Sequence, residues 1–321
     1  MDISTILLTG ATGFIGSHIR NVLLRDQRYK LITLLRKRAA IDPAADETIL
    51  HGNFYNALLL NKIETPVDCI IHCAAIRGES ALAESEYYRI NVAGTQNLLE
   101  FAQERNIPRF IYLSSVGVLG TIPRPQPARA DQSPHPDGKY HRSKWQAEEL
   151  VRTFHSDRLQ TLILRPTVTY GEGDDGFIPR LIEKIRSRRF VFPKKQIRIH
   201  LLHVDALSGL IVRLLESQSF NGKAYIVADR ESVTLETVLD VIYREEFGKP
   251  FPRYLRLPDF VFGFGKEALH LLGRNTLLTS VRLISESWTY DISETIRDLN
   301  YKAVDTMDRL SKVIKGWRVD E

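Results

Sequence analysis

The sequence has no apolar run near the roughly 20 residues that a membrane-spanning helix needs, so no membrane insertion is expected. Cysteine is nearly absent. Cys69 and Cys73 stand four residues apart, on one apolar strand and its end, a poor geometry for a disulfide. Both read as buried thiols rather than redox or metal groups, and no metal site is expected. No internal repeat or low-complexity segment occurs, which argues against a repeat array or a disordered tail. Met1-Asp2 leads straight into Ile6-Leu7-Leu8 without a basic n-region or a cleavage pattern, so no secretory signal is read and the expected location is cytoplasmic. Charge of one sign is also scarce. Lys and Arg total 44 against 39 Asp and Glu, a net +5 without a long basic tract, so no nucleic-acid partner is expected and an anionic small molecule fits equally well. The local clusters are Arg36-Lys37-Arg38 and the group Arg186, Arg188, Arg189, Lys194 and Lys195; the second reads as a solvated helix face followed by a loop.

What is present is a chain of 321 residues, 43% hydrophobic and 26% charged, an ordinary balance for a globular protein with a sizeable core. Thr5-Leu8, Leu31-Leu35, Cys69-Cys73, Phe110-Leu113 and Thr161-Leu164 are short and almost continuously apolar, the pattern of strands buried on both faces. Helical periodicity runs over Gly16-Arg25, Ser85-Arg105 and Tyr140-Phe154. The alternation predicts an α/β fold, a Rossmann-type doubly wound parallel sheet with a smaller, discontinuous C-terminal substrate lobe. Residues 1–170 are assigned to the dinucleotide-binding part, with later returns near 197–227, and 171–321 mainly to the substrate lobe. Ile197-His203 and Ala224-Val227 are candidates to extend the main sheet. Thr121-Lys139 carries five prolines and no periodicity, marking a long loop of the kind that usually has a function. Phe177-Arg189, Leu207-Glu216, Thr234-Glu246 and Thr306-Trp317 read as later helices, while Phe251-Ser287 is apolar but irregular.

The first strand runs into Thr9-Gly10-Ala11-Thr12-Gly13-Phe14-Ile15-Gly16. A glycine triplet alone marks only a turn. Here a strand precedes, a helix follows, and a second buried strand comes about 20 residues later, the context of a dinucleotide site. Gly10 permits the tight turn, Gly13 the approach of a pyrophosphate, and Gly16 the packing of helix on strand. Thr12, Phe14 and Ile15 complete the loop, whose helix N-terminus offers free N–H groups to phosphate. The second strand ends in Arg36 rather than an acid. A carboxylate there would chelate the ribose hydroxyls of NAD, whereas arginine neutralises a 2′-phosphate. The expected cofactor is therefore NADP in preference to NAD, unless the three cations are simply a solvated loop.

Tyr140 and Lys144 are four apart on one helix face. An ammonium near the phenol would lower its pKa from about 10 toward working pH, where it can exchange a proton with a hydroxyl or carbonyl. Lys144 can also hold the nicotinamide ribose. Ser115 adds a hydroxyl at the carboxyl edge of the Phe110-Leu113 strand, able to orient the reacting oxygen. Taken singly, each has an ordinary reading, a chance pair on a helix or a strand-end turn serine.

Together the motifs resemble an extended short-chain dehydrogenase/reductase of the NAD-dependent epimerase/dehydratase group. The matching blocks are Thr9 to Gly16, Asp68-Cys69-Ile70-Ile71-His72-Cys73-Ala74-Ala75, Asn91-Val92-Ala93-Gly94-Thr95, Leu113-Ser114-Ser115-Val116-Gly117-Val118, Tyr140 to Lys144, Leu164-Arg165-Pro166-Thr167-Val168-Thr169-Tyr170-Gly171 and His203-Val204-Asp205-Ala206. Their order and spacing are far more specific than any one alone. The resemblance implies that Tyr140 is the general acid/base, Lys144 its activator and ribose ligand, and Ser115 the orienting hydroxyl. It further implies that Ala74, Ala75, Pro166 and Thr167 line the cofactor groove, that Val116 lies with Ser115 at the substrate, that Asn91 supports the site, and that the protein is a homodimer. Two positions depart from the family pattern. Gly52-Asn53-Phe54 stands where Gly-Asp-Leu often contacts adenine, so Asn53 and Phe54 would do that work. Position 199 is Ile199 where sugar-nucleotide enzymes often clamp the diphosphate with arginine, and Arg198 is one place off.

The expected partner is a nucleoside-diphosphate sugar, with hydride moving at a sugar carbon. Tyr290-Asp291-Ile292-Ser293 and Leu299-Asn300-Tyr301 resemble the late segment of bacterial sugar-nucleotide members. Two alternatives stay open. The substrate can be an apolar alcohol or ketone, as in the dihydroflavonol reductase and 3β-hydroxysteroid dehydrogenase branches, with Phe251, Phe260, Phe262, Phe264, Leu271 and Leu272 as the pocket wall. Or the chain binds NADP without catalysis, although such members tend to lose the tyrosine or lysine kept here.

Overall fold

The apolar runs become the middle of one sheet because each is covered on both faces. In the computed structural model, residues 3–36, 42–78, 82–187, 190–217 and 219–319 are described; Lys37, Arg38, Arg188 and Arg189 of the basic clusters lie outside the described residues. The strands are β1 (Thr5–Thr9), β2 (Lys30–Leu35), β3 (Glu47–His51), β4 (Cys69–His72), β5 (Arg109–Leu113) and β6 (Gln160–Pro166), joined by Ala224–Val227. All neighbouring pairs are parallel, in the order Ala224–Val227, β6, β5, β4, β1, β2, β3. The order reverses beside β1: the chain moves outward through β2 and β3, then returns to place β4 on β1's other side. A crevice opens above the carboxyl ends at such a reversal.

Every residue of β1 and β5 is buried, whereas β3 at the sheet edge is only partly covered. That edge position explains why β3 shows no continuous apolar run in the sequence. Helix α1 (Phe14–Arg25) follows β1, and Lys139–Phe154 follows the proline-rich loop. The span read as one helix over Ser85-Arg105 is three pieces: Glu84–Tyr87, a π-helical Tyr88–Ala93 and Gly94–Glu104. Such widened turns recur at functional sites.

Two expectations change. Ala224–Val227 joins the main sheet, but Ile197-His203 does not. Leu201–His203 pairs in parallel with Val168–Tyr170, and Arg198–Ile199 runs antiparallel to Val233–Thr234. The irregular apolar stretch Phe251-Ser287 contains two helices, Asp259–Leu271 and Asn275–Ser285, that pack on each other. Their periodicity is hidden because apolar residues face outward as well as inward. Phe262 and Leu278 are buried, while Phe260, Phe264, Leu271, Leu272 and Leu277 are exposed. Among the described residues no helix is long and apolar enough to cross a membrane.

Candidate active site

The crevice at the sheet reversal is a cleft of about 550 Å³, floored by the glycine turn and walled by the loops after β4, β5 and β6. Gly10 adopts φ +80°, the left-handed region, and a Cβ there would meet the Ala74 backbone nitrogen at 2.6 Å. At Gly16 a Cβ would lie 2.0 Å from the Gly10 carbonyl oxygen. Both positions therefore demand glycine for space, and the Gly13 N–H closes the turn on the Gly10 carbonyl at 2.9 Å. Gly13 caps α1 with no side-chain hydrogen bond, so the first-turn N–H groups face the cleft free of a side-chain cap. These features fit the pyrophosphate of a dinucleotide. Arg36, exposed at the end of β2, lines the same cleft, as do Phe54 and Tyr55.

At the other end stand Ser115, Tyr140 and Lys144. Ser115 follows β5 in extended backbone, and its hydroxyl accepts the Gly117 N–H at 3.1 Å. Burial pushes the Tyr140 phenol up to about 12, against the opposing hydrogen bond with Ser115 and the nearby Arg77 charge. This corrects the expectation that Lys144 pulls the phenol down. The ammonium is occupied elsewhere, donating to the Leu113 carbonyl at 2.5 Å and lying 4.2 Å from the centre of the Tyr112 ring. Burial lowers Lys144 itself to about 7, although Glu148 one turn further along acts in the other direction. Arg165 holds Glu148 in a buried two-pronged pair, Nε to Oε1 at 2.9 Å and the second nitrogen to Oε2 at 2.8 Å.

A polar spine fixes this helix against the cleft. In the π-helical turn, Asn91 Nδ2 donates to the Ile76 carbonyl at 2.9 Å and to Ser143 Oγ at 2.9 Å, while its Oδ1 accepts the Ile76 N–H at 2.8 Å. Ser143 in turn donates to the Tyr140 carbonyl at 2.8 Å. Beneath lies His72, buried and held neutral by that burial. Thr95 Oγ1 donates to the Asn91 carbonyl at 2.6 Å, so it is left to accept from His72 Nε2 at 3.0 Å, and Thr9 donates to Nδ1 at 2.7 Å. One tautomer thus satisfies the whole chain.

Of the residues singled out in the sequence, Gly10, Thr12, Gly13, Phe14, Ile15, Gly16, Arg36, Phe54, Ala74, Ala75, Ser115, Tyr140, Lys144, Pro166 and Thr167 line the cleft. Asn53, Val116 and Arg198 are not among its lining residues. Val116 turns into the core, and Arg198 donates to Ser232, Nε to the hydroxyl at 3.0 Å and the terminal nitrogen to the carbonyl at 2.6 Å. None of the six apolar residues offered as a pocket wall reaches the cleft either. Cys69 is buried in β4, whereas Cys73 lines the cleft with its thiol pushed up by burial to about 12.

The sequence reading missed Arg77 and Asp174. Arg77, two places after Ala75, forms an ion pair with Asp175. Asp174 is raised by burial to about 6 and accepts the Gly176 N–H at 2.7 Å. The glycine- and acid-rich run Gly171-Gly176 was a signal for the second; a lone arginine in a loop gave none.

A parallel seven-stranded sheet with a glycine turn at its reversal and a Ser-Tyr-Lys set facing it defines a nucleotide-dependent enzyme of the Rossmann type. Residues 6–228 match the pattern of the NAD dependent epimerase/dehydratase family, and the chain belongs to that family, whose members are enzymes. Over 191 residues it is 29% identical to the N-acetyl-alpha-D-glucosaminyl-diphospho-ditrans,octacis-undecaprenol 4-epimerase of Escherichia coli O157:H7, covering 58% of this chain and 55% of that relative. Over 317 residues it is 27% identical to the UDP-glucose 4-epimerase of Vibrio cholerae, covering 94% and 92%. The fold superposes on UDP-glucuronic acid 4-epimerase from Bacillus cereus, solved with NAD, with a TM-score of 0.77 at 21% identity, covering 98% of this chain and 99% of that one.

Proposed function

We propose that the protein is an NADP-preferring epimerase or ketoreductase that acts on a sugar carried by a diphosphate, in the first instance a nucleoside-diphosphate sugar. The observation that carries this reading is the meeting of Ser115, Tyr140 and Lys144 with the glycine turn in one cleft. Gly10, Gly13, Gly16 and the α1 N-terminus would hold the pyrophosphate, and Arg36 would neutralise a 2′-phosphate. When bound, the nicotinamide supplies hydride exchange with a sugar carbon. The protein's own part is proton handling and orientation. Ser115 hydrogen-bonds the reacting oxygen, and Tyr140 exchanges its phenolic proton with that oxygen. A phenol raised by burial is protonated at neutral pH, the form that donates a proton to a nascent alkoxide. Lys144 would bind the nicotinamide ribose from the next turn.

The substrate class rests on the relatives. One relative is named for a sugar on undecaprenol diphosphate and another for UDP-glucose, and the element these two share is a sugar on a diphosphate. The six apolar side chains offered as the wall for an apolar alcohol do not line the cleft, which supports the sugar-diphosphate reading over that alternative. A homodimer is the assembly that the family resemblance supports. A thermal-shift panel of uridine, thymidine, guanosine and cytidine diphosphate sugars with NADP tests the reading. One of them should raise the melting temperature beyond NADP alone, and no shift from any would overturn the nucleoside-diphosphate assignment.

A further inference from the structure

The paired helices Asp259–Leu271 and Asn275–Ser285, with the turn between them, gather several of the most exposed large apolar side chains described in the molecule. Phe260 is 65% exposed, Phe264 72%, Leu271 86%, Leu272 72% and Leu277 52%. Phe260, Phe264 and Leu271 fall at i, i+4 and i+11, on one face of the first helix, and the two phenyl rings meet edge to face. This is a concentrated patch, not the scattered apolar residues of an ordinary surface.

Cations flank both ends of it. Lys194 and Lys195 sit at the start, where the Lys195 N–H donates to Asp259 at 3.2 Å, and Arg274 lies in the turn between the helices. All three are exposed, and among the described residues none has a carboxylate ion-pair partner. Opposing them are Glu267, exposed at i+7 on the same face, and Asp259, tied to the Lys195 backbone; Glu286 at the hairpin foot is neutralised by Lys266 at 2.8 Å and Arg124 at 3.0 Å. Aromatic and aliphatic side chains with lysine and arginine at their margins fit the boundary between headgroups and acyl chains of an anionic bilayer.

The hairpin is linked through one loop residue to the helix that carries Tyr140. Arg282 lies 3.6 Å from Asp137, which is 2.7 Å from His141, the neighbour of Tyr140. We propose that this hairpin docks the protein on an anionic bilayer surface and so presents the cleft to a sugar diphosphate carried by a lipid. The second half of that statement rests on the sugar-diphosphate reading above; the docking itself does not. The chain lies on the membrane without spanning it.

Flotation with vesicles of phosphatidylglycerol and phosphatidylethanolamine tests it, using the full chain and the triple variant Phe260→Ser, Phe264→Ser, Leu271→Ser. The wild type is expected to float with the vesicles and to be released by high salt or by replacing the anionic lipid with phosphatidylcholine. The variant, altered only at exposed positions, should keep its melting temperature and NADPH binding while its vesicle affinity falls about tenfold or more. Wild type that stays in the aqueous layer while still binding NADPH overturns the proposal and leaves the proposed function standing. A concentration-dependent dimer abolished by the triple variant without vesicles also overturns it, because the patch then belongs to a second copy. Flotation with no response to any nucleoside-diphosphate sugar upholds docking and counts against the nucleoside carrier alone.

Discussion

Asn91 Nδ2 donates to Ser143 Oγ at 2.9 Å, linking the π-helical turn to the helix that carries Tyr140 and Lys144. The same side chain holds both backbone groups of Ile76, which follows the cleft-lining Ala74 and Ala75. Asn91→Ala removes these bonds at a buried site and should cost about 1–3 kcal/mol for each group left unpaired. Because the loss also frees the helix that carries Tyr140, the proposed acid/base, kcat should fall further than cofactor affinity. Urea titration and steady-state kinetics check both parts.

The Gly10 carbonyl leaves no space at position 16. Gly16→Ala places a methyl 2.0 Å from that oxygen, so the turn must move. Overpacking of this kind typically costs about 1–3 kcal/mol, and here it also displaces the N–H groups proposed to hold a pyrophosphate. A lowered melting temperature together with weakened NADP binding is expected, measured by calorimetry and fluorescence titration.

Much of this frame was legible in the sequence because its causes are local. Continuous apolar runs marked β1, β2, β4, β5 and β6, which are covered on both faces, and fixed spacing marked the glycine turn and the Tyr140-Lys144 pair. β3 escaped notice because an edge strand needs no continuous apolar run. The Asp259–Leu271 and Asn275–Ser285 helices escaped for a different reason: their outward apolar residues erase the one-sided stripe by which a helix is recognised. Arg77 and Asp174 reach the cleft only through loop paths, and Arg198 misses it through a hydrogen bond to Ser232 that spacing does not reveal.

Arg36 carries the proposed preference for NADP. Arg36→Asp places a carboxylate where a 2′-phosphate would lie, and NADP affinity should fall by about tenfold or more, equivalent to about 1.4 kcal/mol. NAD should be affected far less. Equal losses for the two would refute the preference and leave the cleft assignment intact.

Lys144 makes stability depend on pH with a definite sign. Its folded-state pKa, lowered by burial to about 7, lies below the ordinary lysine value of about 10.4. Between these values the unfolded chain binds a proton that the native state does not, so stability rises with pH across that window. The unfavourable contribution is complete below about pH 7. In Lys144→Met this rise should be missing, as seen by comparing urea midpoints of variant and wild type at neutral and alkaline pH in the absence of cofactor.

The most direct test concerns Tyr140. If its phenol exchanges the proton while hydride is transferred, Tyr140→Phe should lower turnover of the identified substrate by about 10²- to 10⁴-fold, with NADP affinity and melting temperature unchanged. Turnover equal to that of the wild type would contradict the account.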